Sequence, residues 1–248
     1  MNVRQALAGG LAVAAVAGIG VAGAGAVAGG GQGLPQGSEA VKLDPADFSV
    51  RIDNPYWPMK PGTRWTYRET DAEGAVRRVV VRVTDQTKVM ANGITARVVR
   101  DTVTEDGKPV EDTWDYYAQD TAGNIWYLGE LTKEYENGKV VSTHGSFEAG
   151  VDGAQAGIAM PARPRVGLRY RQEYYKGEAE DRGSIFSLSE RAEVPAGFYP
   201  HVVMTRDVNP LEPRVLEYKF YARGVGPVLA VGVSGTSDRE ELVRMTRG

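Results

Sequence analysis

The chain has 248 residues, with 29 lysines and arginines against 32 aspartates and glutamates, which gives a net charge of −3. This length allows one large domain or two small ones with a substantial core. The acidic balance argues against a nucleic-acid-binding protein, because phosphate binding requires a basic surface. The absence of cysteine excludes disulfides, thiolate metal sites, cysteine nucleophiles and a lipid attached through an N-terminal cysteine.

The N-terminus has the composition of a secretory signal. Ala6–Ala28 is an uncharged run of small and apolar residues behind one basic residue, Arg4, and its end fits the small-x-small pattern of a signal peptidase site. The run is also long enough to span a membrane, so a retained anchor is the alternative. We interpret residues 1–28 as a signal peptide. The protein is therefore expected to be secreted or held in the cell envelope, without a transmembrane domain once the signal is cleaved.

Residues 29–47 are rich in glycine, with proline, glutamine and serine, and have no apolar period. This composition is typical of a flexible linker. Residues 48–248 follow as a single predicted β domain. At its start, Phe48–Pro61 carries three prolines. They favour an extended or turning path that lays Tyr56 and Trp57 against one end of the domain.

Strand patterns dominate the chain from Thr63 onward, since apolar and polar residues alternate in run after run. Two of the predicted buried faces are those of Val79, Val81 and Val83 and of Leu216, Tyr218 and Phe220. Asn137-Gly138 between two such runs predicts a tight hairpin, because both residues tolerate a positive φ. Ala154–Pro164, rich in small residues and proline, is expected to cross the surface rather than to form a strand.

The predicted fold is all-β. About twelve strands follow one another through hairpin-length connections, which indicates an antiparallel meander. Such a sheet must close, curl or cover its edges, so we predict a barrel or a curved half-barrel. A sandwich of two sheets is the alternative, because alternation alone does not distinguish the two architectures.

One stretch, Glu111–Gly153, concentrates aromatic and acidic residues. Glycoside cleavage needs two carboxyl groups beside aromatic platforms that stack on sugar rings. A carboxylate-dependent hydrolase acting on polysaccharide is therefore one hypothesis. Its candidate catalytic residues are Glu134, His144 and Glu148, which flank the Asn137-Gly138 turn.

Four aromatic residues are candidates for ligand binding, because their rings can stack on a sugar or an apolar ligand: Trp57, Trp114, Trp126 and Tyr135. Packing between neighbouring strands is the commoner role of such side chains, at about 0.5 kcal/mol per pair. Arg169 and Arg171 share one strand face after the crossing. We interpret them as partners that neutralise the acidic stretch, not as an anion site.

No metal site or cofactor is predicted. The two histidines, His144 and His201, lie far apart and outside any zinc-binding spacing. Glu178, Glu180 and Asp181 offer oxygen ligands for calcium in one loop, although their spacing does not match an EF-hand. A solvated acidic turn is the alternative for this loop.

Several strings in the chain resemble those of an uncharacterised family of secreted bacterial proteins. Among them are IDNPYWP at Ile52–Pro58, KEYENGKV at Lys133–Val140 and GVGPV at Gly224–Val228. The resemblance implies export and brings no known activity with it. The last string is also similar to the closing strands of curved-sheet envelope proteins that carry lipids or lipoproteins.

These observations predict a secreted or cell-envelope binding protein that holds an apolar or amphiphilic ligand, or a partner, in a concave β surface. A lipid, a glycan or an envelope protein is the expected partner. The polysaccharide hydrolase and a structural envelope protein without a small-molecule site stay open as alternatives. A deep apolar pocket would favour the carrier, convergent carboxylates the enzyme, and a filled interior the structural protein.

Overall fold

The computed structural model describes residues 33–248, so the predicted signal peptide and the first residues of the predicted linker lie outside the described residues. The described part contains a short 3-10 helix, Pro45–Asp47, and sixteen strands. No helix in this part has the length and hydrophobicity needed to cross a bilayer. The strands are β1 Phe48–Ser49, β2 Arg64–Thr70, β3 Val76–Val89, β4 Thr95–Glu105, β5 Lys108–Asp120, β6 Ile125–Glu136, β7 Lys139–Ser142, β8 Phe147–Glu148, β9 Gln155–Met160, β10 Arg169–Arg171, β11 Glu173–Tyr174, β12 Arg182–Val194, β13 Gly197–Val208, β14 Leu216–Ala222, β15 Gly226–Ser234 and β16 Arg239–Thr246.

The strands form one antiparallel sheet. Thirteen of them follow the order β10-β12-β13-β14-β15-β16-β2-β3-β4-β5-β6-β9-β11, and β1, β7 and β8 pair beside this path. The last strand β16 pairs with β2, and the two ends of the path, β10 and β11, are neighbours in the chain. The sheet is therefore a nearly closed barrel with one unsealed seam. This confirms the predicted all-β antiparallel meander and decides for the barrel over the sandwich.

The seam lies where β10 leaves its pairing with β12 and the chain continues as β11, which pairs with β9. Arg171 bridges it from a fully buried position. Its Nε donates to the Ala156 carbonyl at 2.9 Å, and its Nη1 donates to the carbonyls of Gly37 and Glu39. The Arg171 backbone N–H donates to the Pro35 carbonyl at 2.6 Å. The first part of the described chain thus lies along the seam, held by main-chain hydrogen bonds.

Alternation places the interior residues, and in most strands the buried face is apolar. Val79, Val81 and Val83 line the core as predicted. On β14 the prediction is wrong: Leu216, Tyr218 and Phe220 lie on the outer face, half-buried, whereas Glu217 and Tyr221 are buried with Lys219 between them. A charged face is inside here because its members pair with one another, which the apolar pattern does not reveal.

Ala154–Pro164 also differs from the sequence prediction. Its first half is strand β9, which pairs with β6 and β11, and Ala156–Met160 is buried. Small residues are needed there because the strand passes close under the seam. An ideal Cβ on Gly157 would lie 2.3 Å from the carbonyl oxygen of Gln172 and 2.7 Å from that of Arg171.

One end of the barrel is closed by the proline-rich segment. Ile52 and Met59 form an isolated bridge, and Asn54 Nδ2 donates to the carbonyls of Gly123 and Pro161 at 2.9 and 3.2 Å. Gln119 Oε1 accepts from the backbone N–H of Asn54 at 2.8 Å. These bonds hold residues 52–59 across the barrel mouth as a plug loop, in agreement with the position predicted for Trp57.

Replacing Gly157 by alanine should open the seam, since backbone atoms rather than a flexible side chain occupy the Cβ position. We expect a loss of about 3 kcal/mol in the free energy of unfolding and a melting temperature lower by at least about 6 °C. The matched control is Gly74→Ala, at a turn with φ +84 and no atom within 4 Å of the new Cβ. This variant should lower the free energy of unfolding by only about 1 kcal/mol, the strain of an alanine at positive φ. Equal melting temperatures for the two variants would contradict the close approach at the seam.

Candidate functional site

The barrel interior contains a cavity of about 70 Å³. Its walls are aromatic on several sides, where they are formed by Trp57, Trp65, Tyr67, Tyr117, Tyr127 and Tyr221. Polar side chains complete the lining: Asp115, Gln172, Asp181, Lys219 and Glu240. The cavity therefore brings ring faces and ionisable groups together in one space.

Strand geometry explains this combination. Residues two apart on a strand point to the same face, so β5 directs both Asp115 and Tyr117 inward and β14 directs Lys219 and Tyr221 inward. On β6 a bulge at Leu128, between Tyr127 and Gly129, shifts the register against β5. The bulge places Tyr127 and Glu130, three residues apart, on the same face.

Trp57 lies at the mouth of the cavity. Its ring centroid is 5.6 Å from that of Tyr117 and 5.8 Å from that of Tyr221. Such tilted aromatic contacts contribute about 0.5–1.5 kcal/mol each beyond the area they bury. An ideal Cβ on Gly226 would lie 2.9 Å from Trp57 Cδ1, so the indole packs directly on a strand backbone.

Buried carboxyl groups dominate the interior. Nine of them are buried on its walls within the described chain: Glu69, Asp101, Asp115, Glu130, Glu173, Asp181, Asp207, Glu217 and Glu240. Two cations lie among them, Arg77 and Lys219. So many carboxylates cannot all be ionised in a medium of low dielectric constant, because burying each unpaired charge costs several kcal/mol. Part of this set must therefore hold protons.

The geometry around Tyr127 shows where one such proton lies. The Tyr127 hydroxyl is 2.7 Å from Asp115 Oδ1 and 2.7 Å from Glu130 Oε2. A phenol has a single proton and can donate to only one of them. The other contact is a hydrogen bond only if that carboxyl is protonated and donates to the phenol oxygen. Asp115, Tyr127 and Glu130 thus form a chain of proton-sharing groups.

Lys219 compensates a second part of the acidic wall. Its Nζ lies 3.3 Å from Asp207 Oδ2 and 3.2 Å from Glu217 Oε2. Gln172 Nε2 also donates to Asp207 Oδ2, at 3.1 Å. At the barrel rim, Arg77 binds Glu69, Asp71 and Glu105 at 2.6–3.3 Å. These ion pairs neutralise some of the buried carboxylates and leave the others without a cationic partner in the described chain.

Several buried oxygens on this wall have no hydrogen-bond partner within the described chain. They include both carboxyl oxygens of Asp101 and of Glu173, Asp181 Oδ1 and Glu240 Oε2. Asp181 and Glu240 line the cavity, with only 7% and 5% of their surface exposed. Leaving a buried polar group unsatisfied costs about 1–3 kcal/mol. Asp181 and Glu240 therefore bring unsatisfied carboxyl oxygens to the wall of the cavity.

Burial and mutual repulsion raise the pKa values of these groups. Burial, opposed only by the hydrogen bond from Tyr127, raises the pKa of Asp115 to about 7. Burial and the nearby charges of Glu69 and Glu217 raise the pKa of Glu240 to about 8. The pKa values of Glu130 and Asp101 are also raised well above their usual range, first by burial and then by neighbouring carboxylates. At neutral pH some of the carboxyl groups in the interior are therefore protonated.

Of the four aromatic candidates from the sequence, the structure brings only Trp57 to the cavity. Trp114 lies on the outer face, with the cations of Arg100 and Lys133 each 5.2 Å from its ring. Trp126 packs on Phe48 at 6.0 Å, and its Nε1 donates to Asp120 Oδ2 at 2.8 Å. Tyr135 lies near the end of β6, opposite Val140.

The three catalytic candidates lie in separate contacts. Glu148 binds Lys88 Nζ at 2.7 Å and accepts from the Ala91 backbone N–H at 2.8 Å. His144 Nε2 is 3.1 Å from Glu178 Oε2. Glu134 lies opposite Glu111 across β5 and β6 and helps burial to raise the pKa of Glu111 to about 8.

The acidic loop is divided in the same way. Glu178 contacts His144, Glu180 Oε1 accepts from the Gly177 backbone N–H at 3.0 Å, and Asp181 faces the cavity. Among residues 33–248, no three histidine, aspartate or glutamate side chains are placed together as metal ligands would be. The loop residues thus serve three separate parts of the structure.

Sequence reasoning did not single out Asp115, Glu130, Lys219 or Glu240, and it considered Asp181 only as a calcium ligand. A signal for them exists, since aromatic and charged residues recur two apart on the same strand face. Tyr67 and Glu69 on β2 form such a pair of an aromatic and an acidic residue, as Asp115 and Tyr117 do on β5. An acidic residue in such an alternation is usually solvated, so only the closure of the barrel reveals that this face is internal.

Comparisons with known proteins concern the fold alone. No protein-family model and no curated protein is found to match the sequence. The chain is similar in structure to a Bacteroides fragilis protein described as exported, with a YmcC-like fold, at 16% identity and a TM-score of 0.47, over 77% of this chain and 99% of that one. It is also similar to a Parabacteroides distasonis protein described as a lipoprotein, at 14% identity and a TM-score of 0.42, over 77% and 98% of the two chains. Neither name includes an activity.

The protonated interior predicts an unusual dependence of stability on pH. Between about pH 4.5 and about pH 8, the folded state keeps protons that the unfolded chain has released, so stability falls as the pH rises. We expect the melting temperature to be lower at pH 8.5 than at pH 5 by at least about 6 °C. Calorimetry across this range measures it. Glu240→Gln should flatten the curve, and a melting temperature that rises or stays level through the window would contradict the assignment.

Proposed function

We propose that this protein is an exported binding protein that holds a small organic cation in the barrel interior. The observation that carries the proposal is that Asp181 and Glu240, which line an aromatic-walled cavity, each have a buried carboxyl oxygen without a hydrogen-bond partner in the described chain. An ammonium group supplies what those oxygens lack, namely N–H donors and a positive charge. The fold supports export only through its likeness to bacterial proteins described as exported or as lipoproteins.

The aromatic walls favour the same ligand. Trp57, Tyr117 and Tyr221 present rings around the mouth, and each ring face is negative. A cation over such a face gains about 0.5–2 kcal/mol, more when it is desolvated. Methylated amines use this interaction, because their charge is spread over apolar methyl groups.

The size of the cavity favours one of the ligand classes predicted from the sequence. At about 70 Å³ it is roughly half as large as an engineered cavity of about 150 Å³ that binds benzene. It has room for an ammonium head group with few carbons and not for an acyl chain or a sugar polymer. The interior thus supports the amphiphilic ligand over the purely apolar one, and gives no support to polysaccharide cleavage inside the barrel.

Binding should be coupled to proton release. At neutral pH the carboxyl groups on the wall hold protons, and a cation is stabilised there only when one of them becomes ionised. The affinity for a cation should therefore rise from about pH 6 to about pH 8.5, through the raised pKa values of Asp115 and Glu240. A ligand that carries no charge should show no such dependence.

Titration calorimetry with methylammonium and tetramethylammonium chloride tests the proposal, with tert-butanol as the neutral comparison. We expect methylammonium, which is small and has N–H donors, to bind more tightly than tetramethylammonium, and tert-butanol not to bind. The heat should change with the ionisation enthalpy of the buffer, because protons are released. Asp181→Asn combined with Glu240→Gln should weaken cation binding at least about tenfold, which corresponds to 1.4 kcal/mol.

The controls separate function from folding. Neutralising Asp181 and Glu240 removes buried charge, so the double variant should be at least as stable as the wild type at pH 8. Glu136→Gln with Asp152→Asn changes two exposed carboxylates in the same chemical way and should leave binding unchanged. If no cation binds the wild type, or if the interior variant binds as well as the surface variant, the interior serves structure alone.

A further inference from the structure

A second cavity, of about 620 Å³, lies on the outer surface beside the seam. Its lining combines arginines with apolar side chains and contains no carboxylate in the described part of the chain: Arg169, Arg182, Arg206, Val166, Phe186 and Val208. We call these six residues the arginine groove. It is a basic surface on a protein whose net charge is −3.

Strand register sets the spacing of the three guanidinium groups. Arg169 on β10 is opposite Ser184 on β12, and Ser184 is opposite Arg206 on β13. The Cα atoms of Arg169 and Arg206 are therefore about 10 Å apart, which is the distance across two strand spacings. Arg182 lies two residues before Ser184 and so about 7 Å along the strand on the same face. The three charges form a triangle on one face of the sheet.

None of the three charges is neutralised within residues 33–248. Arg169, Arg182 and Arg206 are exposed and form no ion pair with any described residue. The carboxyl groups next to them in sequence, Asp181 and Asp207, are on the opposite face of the sheet, in the barrel interior. The expectation that Arg169 and Arg171 neutralise the acidic stretch is wrong, since Arg169 is unpaired and Arg171 binds main-chain carbonyls at the seam.

Apolar side chains stand exposed beside these charges. Val166 has 66% and Phe186 has 51% of its surface in solvent. The Phe186 ring packs against the Tyr218 ring on the outer face, with ring centroids 5.4 Å apart. A free anion such as phosphate would bind the arginines but would gain nothing from the exposed apolar side chains. A surface that presents anionic groups above an apolar layer can bind both the arginines and the apolar side chains.

We propose that the arginine groove docks the barrel on an anionic lipid surface. The arginines contact the phosphate groups of the lipids, and Phe186 and Val166 enter the boundary between head groups and acyl chains. Three basic side chains near such a surface raise the partition coefficient roughly 100-fold at low ionic strength. That gain is modest, so the groove works as one of two membrane signals, as stable anchoring requires.

The second signal in this proposal is the run Ala6–Ala28, if it is retained as the anchor that the sequence leaves open as the alternative to a cleaved signal. Gln36 lines the same cavity, only three residues after the described chain begins at Gly33. The uncharged run Ala6–Ala28 precedes it in sequence. If that run stays in or on the membrane, a connection of a few residues brings the arginine groove to the same surface. The groove then fixes which side of the barrel faces the lipid.

Vesicle sedimentation with the purified full chain tests this docking. One set of vesicles is phosphatidylcholine alone, and the other contains about one third phosphatidylglycerol. At about 0.1 M salt we expect the wild type to bind the anionic vesicles at least tenfold more tightly, and at about 0.5 M salt we expect the preference to disappear. All variants contain Ala6–Ala28, so any binding through this uncharged run should be the same for both kinds of vesicle.

The test variant is Arg169→Gln, Arg182→Gln and Arg206→Gln together, which should lose the preference for anionic vesicles. The matched control is Arg64→Gln, Arg78→Gln and Arg82→Gln. These three arginines are also exposed and unpaired in the described chain, on β2 and β3. The control should keep the preference, and Phe186→Ser should weaken binding to anionic vesicles without changing its salt dependence.

Three results would overturn the proposal. The wild type could bind both kinds of vesicle equally, or the control could lose as much preference as the test variant. A soluble polyanion, polyphosphate, could bind through the same arginines while the vesicles show no preference, which would make the groove a polyanion site. Circular dichroism of each variant verifies that the barrel is folded, as expected for exposed positions.

Discussion

The burial of acidic side chains inside a closed sheet is the constraint on which the rest of this structure depends. A β-barrel normally fills its interior with apolar residues, whereas here carboxyl groups on six or more strands face inward. Lys219 and Arg77 neutralise a few of them. The remainder are tolerated because burial raises their pKa values enough to keep protons at neutral pH. Protonation thus replaces ion pairing as the means of keeping the interior neutral.

The same arrangement gives the barrel opposite chemistry on its two faces. Inside, carboxyl groups and aromatic rings surround a small cavity that Trp57 covers. Outside, next to the seam, three arginines without acidic partners in the described chain stand beside exposed apolar side chains. A net charge of −3 hides this separation, because it averages an acidic interior with a basic patch on the surface. A cation inside and an anionic surface outside are therefore compatible proposals for one molecule.

The fold could be predicted from the sequence to a considerable extent. Alternation located most strands, and a meander of that length has to close, as the pairing of β16 with β2 shows. Interior and exterior were harder to predict. On β14 the apolar residues Leu216, Tyr218 and Phe220 lie outside, because Glu217 and Lys219 satisfy each other within the barrel. Ala154–Pro164 was misjudged because the small residues of β9 serve a close backbone approach at the seam, which no local pattern records.

The candidate site was largely out of reach of the sequence for the same reason. The position of Trp57 at one end of the barrel could be predicted, because prolines around an aromatic pair favour an extended or turning path there. Asp115, Asp181 and Glu240 come from three distant parts of the chain and acquire their properties only when burial removes water from them. Trp114, in contrast, has the aromatic character expected of a ligand site, yet it lies between Arg100 and Lys133 on the outer face. Residue type indicated the chemistry, and only the closed sheet decided which residues could use it.

The central claim is that carboxyl groups inside the barrel hold protons at neutral pH. Carbon-13 NMR of the aspartate and glutamate carboxyl groups, recorded from about pH 4 to about pH 9, measures this directly. The account predicts resonances that titrate near pH 7–8, among them those of Asp115 and Glu240, identified by their loss in Asp115→Asn and Glu240→Gln. A protein in which every carboxyl group has finished titrating below about pH 5.5 would contradict it.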